Sequence, residues 1–251
     1  MVPKWLFVLL IIFFWLSCKN SDNGLLPTTK KHTRPSISKD LSKVINTHGG
    51  MHLWHTFSTV RFSVDDEKHV VDLHSRKTRI TSKDFTIGFN GKKVWFQQKS
   101  ASSFTSDPNF YYNLYFYFFA MPFVLADEGI TYTEAKPLEY NGISFPGIKI
   151  SYNQDVGASP DDNYFLYFHP ETKQMEWLGY SVTYFSKKVS NNFNLIKYDT
   201  WQEEKGILLP KSISWFTKDS LGNPVSAKGN PVLFSTISLQ ENSLSDIFYE
   251  E

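Results

Sequence analysis

The chain has 251 residues, and its 26 basic and 25 acidic side chains give a formal net charge of +1. A near-neutral chain argues against nucleic acid as a partner, because neutralising phosphates requires a basic face. Aromatic residues make up 17% of the chain, with 22 phenylalanines, which predicts a large apolar interior or an apolar cavity.

The N-terminus has the pattern of a secretory signal. Lys4 is followed by an apolar run from Trp5 to Leu16, and Ser17 precedes Cys18, the one cysteine of the chain. The run is shorter than the ~20 residues of a membrane-spanning helix and fits the apolar core of a signal peptide. The segment resembles the lipobox of bacterial lipoproteins, apart from Trp15, where that motif has leucine. An uncleaved N-terminal anchor and ordinary secretion are the alternatives.

These features predict three parts of the chain: a lipoprotein signal peptide at 1–17, a flexible tether at 18–35 and a single domain at 36–251. The tether is rich in Lys, Asn, Ser and Thr and has little to bury. Cys18 would carry the lipid anchor, including palmitate, and no thiol would remain. In lipoproteins an aspartate after this cysteine often favours the inner membrane. None follows Cys18, so we expect the outer membrane, facing the periplasm or the cell surface.

The domain begins with a predicted helix. Ser38 is a good N-cap residue. Four apolar or aromatic residues after it recur at the spacing of one helix face: Leu41, Val44, Ile45 and His48. The Gly49-Gly50 pair would end the helix through a left-handed C-cap.

Alternating apolar and polar residues then replace helical spacing. The predicted strands are Phe57–Val64, Lys68–Leu73, Thr86–Phe89, Lys93–Phe96, Tyr164–His169, Met175–Tyr184, Asn194–Glu203, Ile207–Phe216 and Val232–Leu239. In the clearest hairpin, Asn90-Gly91 favours a type I′ turn, and Gly222–Pro231 reads as a polar loop. Successive hairpins without repeated helices favour an antiparallel meander of about ten strands over a parallel α/β fold.

One segment, Phe110–Leu125, is almost wholly apolar, and Asp107 and Pro108 precede it as N-cap and first helical residue. A second membrane span is one interpretation. Pro122 interrupts the run, which falls short of about 18 apolar residues, so a buried helix is favoured. The predicted fold is therefore mainly β with α: a large curved antiparallel sheet, or incomplete β-barrel, of about ten strands wrapped around one or two helices.

Several short stretches resemble known families. The hairpin at 88–95 resembles the D-G-x-x-x-W hairpin of LolA/LolB-like lipoprotein carriers, and 166–172 resembles their L-x-L-D-P-x-T hairpin. The stretches 48–50, 112–127 and 159–164 are similar to an uncharacterised family of bacterial envelope lipoproteins with a domain of unknown function. The resemblance covers about residues 38–240. It implies a LolA/LolB-like fold whose concave apolar surface holds acyl chains, and it implies no reaction.

Three histidines have the spacing of metal ligands on a helix. His48, His52 and His55 stand at i, i+4 and i+7 and could bind zinc if the helix were continuous. Gly49-Gly50 would break that helix, and no carboxylate stands at the spacing of a metalloprotease. We therefore predict no metal and interpret the imidazoles as capping or solvated groups.

Two further groups of polar residues have spacings that could carry a function. One loop carries six oxygen-bearing side chains suited to calcium: Asn153, Asp155, Ser159, Asp161, Asp162 and Asn163. Tyr164 stands where an EF-hand has its glutamate, which favours a loop rich in Asx turns. Asp72 and His74 would share one face of a strand, as expected for an exposed side.

The sequence predicts no catalytic residue and no cofactor. It has no G-x-S-x-G elbow, its only thiol is Cys18, and no glycine-rich loop suited to phosphates is present. A secreted hydrolase is accordingly the least favoured function.

The aromatic segment supplies the predicted ligand-binding residues. These side chains would line an apolar pocket for a lipid tail: Phe110, Tyr111, Tyr115, Phe118, Phe119, Met121 and Phe123. The same side chains could instead fill the interior of the sheet, because protein interiors are normally close-packed. We therefore predict a cell-envelope lipoprotein, anchored in the membrane through Cys18, that binds or carries a lipid or other amphipathic ligand. The alternative is a ligand-free module that binds another envelope protein.

Overall fold

The computed structural model describes residues 37–127, 129–152, 163–182, 184 and 193–251. Its helices are α1 (Lys39–Thr47), α2 (Met51–Trp54), α3 (Pro108–Tyr111) and α4 (Leu114–Phe119), with 3₁₀ helices at Phe123–Ala126 and Asp246–Tyr249. Its strands are β1 (Thr59–Val64), β2 (Glu67–Asp72), β3 (Thr78–Thr81), β4 (Phe85–Phe89), β5 (Val94–Gln98), β6 (Ile130–Tyr140), β7 (Ile143–Tyr152), β8 (Asn163–Phe168), β9 (Met175–Tyr180), β10 (Asn194–Glu204), β11 (Ile207–Lys218) and β12 (Pro224–Gln240).

All twelve strands belong to one sheet in the order β5-β4-β3-β2-β1-β12-β11-β10-β9-β8-β7-β6. Among the described strands all pairings are antiparallel, and only β1 and β12 pair without being consecutive in the chain. This confirms the predicted antiparallel meander, with twelve strands instead of about ten. Within the described residues, each helix is too short or too polar to cross a membrane.

The strands that sequence patterns missed lie where charged residues or proline interrupt the alternation. β6 contains Glu134, Lys136 and Pro137 and forms one edge of the sheet, where proline and charges are tolerated because one side needs no partner. The predicted polar loop at 222–231 mostly belongs to β12. Residues 229–231 form a bulge there, since Val232 pairs with Ile213 and Lys228 with Trp215.

The sheet must curve, because a single apolar core contacts nine of its strands. Buried side chains of that core come from β1, β2 and β6 to β12, together with α1 and α4. Strands lie about 4.8 Å apart, so a flat sheet of this size would be about 50 Å wide, whereas a helix with its side chains is only about 10 Å wide. The end of β6 also reaches the β11–β12 turn, where the Glu139 amide donates to Asn223 Oδ1 at 3.1 Å. We call the face that carries this core the concave face.

Helix α1 covers part of the concave face, as its periodicity predicts. Ser38 Oγ accepts the Leu41 amide at 3.1 Å, and Leu41, Val44 and Ile45 are buried. Gly49 has φ +112°, and a Cβ there would lie 2.4 Å from the Gly206 carbonyl oxygen. The end of α1 therefore requires glycine at position 49, because a side chain would be strained at this φ and would clash with the Gly206 carbonyl.

The hairpin between β4 and β5 turns differently from the prediction. Phe89 pairs with Val94, so four residues form the connection. Gly91 has φ +90°, whereas Asn90 keeps a negative φ and accepts the Lys92 and Lys93 amides through Oδ1, each at 3.0 Å. The observed connection is an Asx turn built on the asparagine side chain, so the predicted type I′ turn was wrong.

The aromatic segment is not one buried helix. It forms α3, α4 and a 3₁₀ helix, separated at Tyr112-Asn113 and at Ala120-Met121-Pro122. Pro122 has no amide hydrogen and cannot continue a helix from α4. The prediction of a continuous helix was wrong, and the breaks allow successive aromatic side chains to point toward different parts of the sheet.

Candidate functional site

The seven predicted ligand residues fall into two groups. Phe118, Phe119, Met121 and Phe123 are at most 5% exposed and belong to the main core. Phe110, Tyr111 and Tyr115 are half-buried. The structure therefore supports the packed-interior interpretation for the first four and places the other three at the margin of the core.

Ring contacts show how the first group packs. Phe119 stacks on Phe62 with centroids 4.2 Å apart, and Phe123 stacks on Trp54 at 4.5 Å. The Tyr198 hydroxyl donates to the Phe118 carbonyl at 2.8 Å in a buried position. These contacts attach the C-terminal half of the segment to α2, β1 and β10.

The N-terminal half contacts a different set of rings, which sequence analysis did not identify. Phe104 lies 4.6 Å from Phe85 and 5.3 Å from Phe96, and Tyr112 lies 4.9 Å from Phe89. Tyr111 meets Phe104 edge-on at 4.9 Å. All six rings are half-buried, and we call them the aromatic cluster: Phe85, Phe89, Phe96, Phe104, Tyr111 and Tyr112.

The aromatic cluster lies on the concave face. Phe62, His69, Ile80, Ile87 and Phe96 stand directly opposite one another in successive strands and share that face. In β4, the flanking rings of Phe85 and Phe89 point the same way as Ile87 because strand side chains alternate. This alternation was a usable signal in the sequence, whereas the contact with Phe104 depends on tertiary structure.

A polar contact holds the start of the aromatic segment against β2. The Tyr111 hydroxyl donates to Glu67 Oε1 at 2.7 Å, and Glu67 Oε2 lies 3.1 Å from His69 Nε2. His69 is 1% exposed and stacks on Phe62 with centroids 4.7 Å apart. Hydrogen bonds to a charged group contribute more than neutral ones, so this contact stabilises α3 in its position against β2.

An ion pair holds the other end of the segment. Arg76 Nη2 lies 2.9 Å and 2.8 Å from the two carboxylate oxygens of Asp127, and its guanidinium stands 5.1 Å from the centre of the Phe116 ring. Burial raises the pKa of Asp127, while Arg76 acts in the opposite direction. The segment from Tyr111 to Asp127 is therefore attached at both ends to β2 or to the turn after it.

Beside this ion pair lies an open pocket of about 230 Å³. Trp54, Phe57 and Leu73 form its apolar part, and His55 and His74 are exposed at its margin. The charges of Arg76 and Asp127 offset each other, so this pocket lacks the excess charge that would select an ionic ligand.

Tyrosine hydroxyls around the segment are protonated at neutral pH. Burial raises the pKa of Tyr112 and of Tyr115, and burial together with Glu67 raises the pKa of Tyr111. A neutral phenol is a hydrogen-bond donor and a poor nucleophile. The arrangement can bind a polar group of a ligand, and it offers no activated nucleophile on these three residues.

The structure separates the three histidines considered as metal ligands. His48 is fully buried, with Nδ1 3.2 Å from the Leu208 carbonyl oxygen and Nε2 3.1 Å from the Met175 amide. His52 and His55 are exposed. In the part of the chain that the structure describes, no three His, Cys, Asp or Glu side chains are arranged to hold a metal ion.

The pairing of Asp72 with His74 on one strand face was wrong. β2 ends at Asp72, whose Oδ1 accepts the His74 amide and both the amide and the hydroxyl of Ser75. These hydrogen bonds lower the pKa of Asp72 against the effect of burial. Asp72 therefore holds the turn that carries Arg76.

Several predicted features fall outside the described residues. These are Cys18, the signal peptide and tether at 1–35, and five of the six candidate calcium ligands, since only Asn163 of that set is described. They remain predictions.

The solved structures that are similar to this chain include the following three. A LolA superfamily protein from Nitrosomonas europaea has 9% identity and a TM-score of 0.36, covering 77% of this chain and 87% of that one. A DUF1329 family protein from Desulfovibrio piger has 9% identity and a TM-score of 0.43, with coverages of 84% and 95%. A domain described as an outer membrane lipoprotein-sorting protein, from Vibrio parahaemolyticus, has 6% identity and a TM-score of 0.35, with coverages of 76% and 88%.

Sequence comparison gives the family. No curated protein matches the chain. A family model does match, over residues 60–198, which is more than half of the chain. This agrees with the predicted resemblance to an uncharacterised family. The chain belongs to DUF6503, a family of unknown function.

Proposed function

We propose that this protein is a non-catalytic lipoprotein of the cell envelope that binds or carries a lipid or another amphipathic ligand, and that the aromatic cluster is where the apolar part of the ligand binds. One observation carries the proposal. Six half-buried rings meet on the concave face: three from β4 and β5, Phe104 from the loop after β5, and two from the start of the aromatic segment. Half-buried rings in contact are apolar surface that a ligand can complete.

Helix α3 covers part of this surface and is suited to displacement. It has four residues, far below the length at which helices are stable alone, and none of them is fully buried. Its Tyr111 hydroxyl holds it on Glu67, and part of it faces solvent. Each buried methylene contributes about 0.8 kcal/mol, so six methylenes of an acyl chain that contacts Phe104 and the strand rings would contribute about 5 kcal/mol toward displacing α3.

Cross-linking tests the site. A photoactivatable phosphatidylethanolamine should label peptides within residues 85–112, because its chains would lie between β4, β5 and α3. Phe104→Ser should lower the yield about fivefold, since an apolar contact of about 1 kcal/mol is lost. Phe248→Ser is the matched control, because Phe248 is a half-buried phenylalanine on the opposite face, next to Arg61 and Arg79. Labelling that is uniform over the chain, or unchanged by Phe104→Ser, contradicts the proposal.

The proposed anchor has a separate test. If Cys18 carries the lipid, Cys18→Ala should move the protein from the membrane fraction to the soluble fraction, because one or two acyl chains would no longer hold it. Ser17→Ala keeps a small residue before the cysteine and should leave the protein in the membrane fraction. Retention of Cys18→Ala in membranes would show that something other than an acylated cysteine attaches the protein.

The alternative function, a ligand-free module that binds another envelope protein, is favoured by β6. This eleven-residue strand pairs with β7 along one side and is the last strand of the sheet. An exposed strand edge can pair with an extended peptide. Under this alternative no lipid would label the aromatic cluster.

A further inference from the structure

The aromatic cluster has two ends with different polar surroundings. Strand pairing places Phe85 at the end of β4 nearest the start of β2, which carries Glu67. Phe89, at the other end of β4, pairs with Thr78, whose hydroxyl donates to the Arg76 carbonyl at 3.0 Å. A ligand that lies along β4 therefore has one end near Glu67 and the other end near Arg76.

At the Glu67 end, the polar side chains bind one another. Glu67 Oε1 accepts the Tyr111 hydroxyl at 2.7 Å, and Glu67 Oε2 lies 3.1 Å from His69 Nε2. Both carboxylate oxygens are therefore engaged. A ligand head group at this end would have to replace one of these contacts, so this end suits the apolar part of a ligand.

At the Arg76 end, tyrosine hydroxyls lie close to the ion pair of Arg76 and Asp127. Tyr117 and Tyr152 are half-buried. Burial is the main effect on the pKa of both phenols, and Asp127 further raises the pKa of each, which places both near this carboxylate. Within the described residues, no hydrogen bond involves the hydroxyl of Tyr117 or of Tyr152. These two phenols can therefore bind a ligand without losing a protein partner.

The Arg76 end is continuous with the aromatic cluster. The Phe89 ring lies 4.9 Å from the Tyr112 ring, and Tyr112 raises the pKa of Tyr117 after the larger effect of burial, so the two phenols are neighbours. The Arg76 guanidinium stands 5.1 Å from the centre of the Phe116 ring. A ligand can therefore contact the rings and the phenols at the same time.

The charges at this end are already paired. Arg76 Nη2 lies 2.9 Å and 2.8 Å from the two carboxylate oxygens of Asp127. Asp127 would repel a phosphate placed beside Arg76, and Arg76 would repel an ammonium group placed beside Asp127. Because burial raises the pKa of Tyr117 and of Tyr152, both are neutral donors at neutral pH. This combination suits an uncharged head group that accepts hydrogen bonds.

We infer that the ligand of the aromatic cluster is a neutral glycerolipid of the diacylglycerol class, with its ester carbonyls beside Tyr117 and Tyr152 and its acyl chains along the rings toward Glu67. This inference rests on the function proposed above, because it names the ligand of the same site. The rings supply apolar surface, and the two phenols supply the few polar contacts that orient a ligand in such a site. A charged head would contact the same rings but would be repelled by one member of the ion pair.

Three probes with the same two octanoyl chains isolate the effect of head-group charge: dioctanoylglycerol, dioctanoyl phosphatidate and dioctanoyl trimethylammonium-propane. Each competes with the photoactivatable phosphatidylethanolamine for labelling of residues 85–112 in the full chain, in one nonionic detergent. Dioctanoylglycerol should halve the labelling at a concentration about threefold to tenfold lower than either charged probe, because only its head binds the phenols without repulsion.

The outcomes separate the two proposals. Equal competition by the three probes, or stronger competition by a charged probe, overturns the inference of a neutral ligand and leaves the lipid site itself supported. Failure of the phosphatidylethanolamine to label residues 85–112 overturns the lipid site and this inference together.

Tyrosine variants test where the head group binds. Tyr117→Phe and Tyr152→Phe each remove one hydroxyl and keep the ring, so each should raise the half-competing concentration of dioctanoylglycerol about threefold to tenfold. Competition by hexadecane, which has no polar group, should not change. Tyr140→Phe is the matched control, because Tyr140 is a half-buried tyrosine that packs against Trp177 on the opposite face of the sheet.

Circular dichroism checks that the variants are folded, which we expect because neither hydroxyl bonds to a described residue. A half-competing concentration of dioctanoylglycerol that neither Tyr117→Phe nor Tyr152→Phe changes would overturn the inference. An increase of the same size for hexadecane would also overturn it, since the effect would then come from the rings and not from a head group.

Discussion

Replacing Phe119 by alanine is expected to lower the free energy of unfolding by about 3–5 kcal/mol, because it removes a fully buried ring and leaves a cavity. Phe119 is 0% exposed, stacks on Phe62 at 4.2 Å and lies 5.2 Å from Phe234. A ligand-binding residue at the surface of a cavity would not be packed in this way. Urea unfolding followed by tryptophan fluorescence measures the change.

Phe110→Ala is the matched control. Phe110 is half-buried in the same segment, so its loss should cost about 1 kcal/mol or less. The free energy of unfolding should therefore fall more in Phe119→Ala than in Phe110→Ala, because Phe119 is in the core and Phe110 is near the surface. Equal decreases in the two variants would contradict this division of the segment.

Lowering the pH from 7 to 4 should reduce the free energy of unfolding by about 3 kcal/mol through the protonation of His48 alone. Burial lowers the pKa of His48 from 6.5 to about 4, against a smaller opposing effect of its hydrogen bond to the Leu208 carbonyl. The folded state favours the neutral imidazole, because Nε2 accepts the Met175 amide and a proton there would break that bond. The stabilisation is therefore complete above pH 6.5 and is lost as the pH falls from 6.5 through 4. Each pKa unit corresponds to about 1.4 kcal/mol.

His48→Gln isolates this contribution. A glutamine amide can donate to Leu208 and accept from Met175, and it does not titrate. The unfolding free energy of the wild-type protein minus that of the variant should fall by about 3 kcal/mol between pH 7 and pH 4, since all other groups titrate in both. A difference that stays constant over this range would mean that His48 can take up a proton in the folded protein at little cost.

The sequence contained most of what determines α1. Ser38, the apolar spacing of Leu41, Val44 and Ile45, and the Gly49-Gly50 end act within a few residues, so a local pattern predicts them. His48 satisfied the same spacing, yet its hydrogen bonds reach Leu208 and Met175 in distant strands. Its place as a buried neutral imidazole depends on tertiary contacts and was not predictable from the helix alone.

The composition of the aromatic segment predicts its burial but not its detailed structure. A run this rich in Phe and Tyr must be largely buried, and that expectation holds for Phe118, Phe119 and Phe123. The composition does not say where such a run breaks into shorter helices or which rings are left half-buried. Which rings stay half-buried depends on tertiary contacts such as that of Tyr112 with Phe89 on β4, about 20 residues earlier.

Native mass spectrometry of the full chain, extracted from membranes in a mild detergent, tests the lipid-binding proposal most directly. We expect one noncovalently bound lipid per protein, beyond the mass of any acyl groups on Cys18, and a clear loss of that lipid in Phe104→Ser but not in Phe248→Ser. Protein that carries no bound lipid, or a bound lipid that both variants retain equally, would contradict the proposal and favour the ligand-free interaction module.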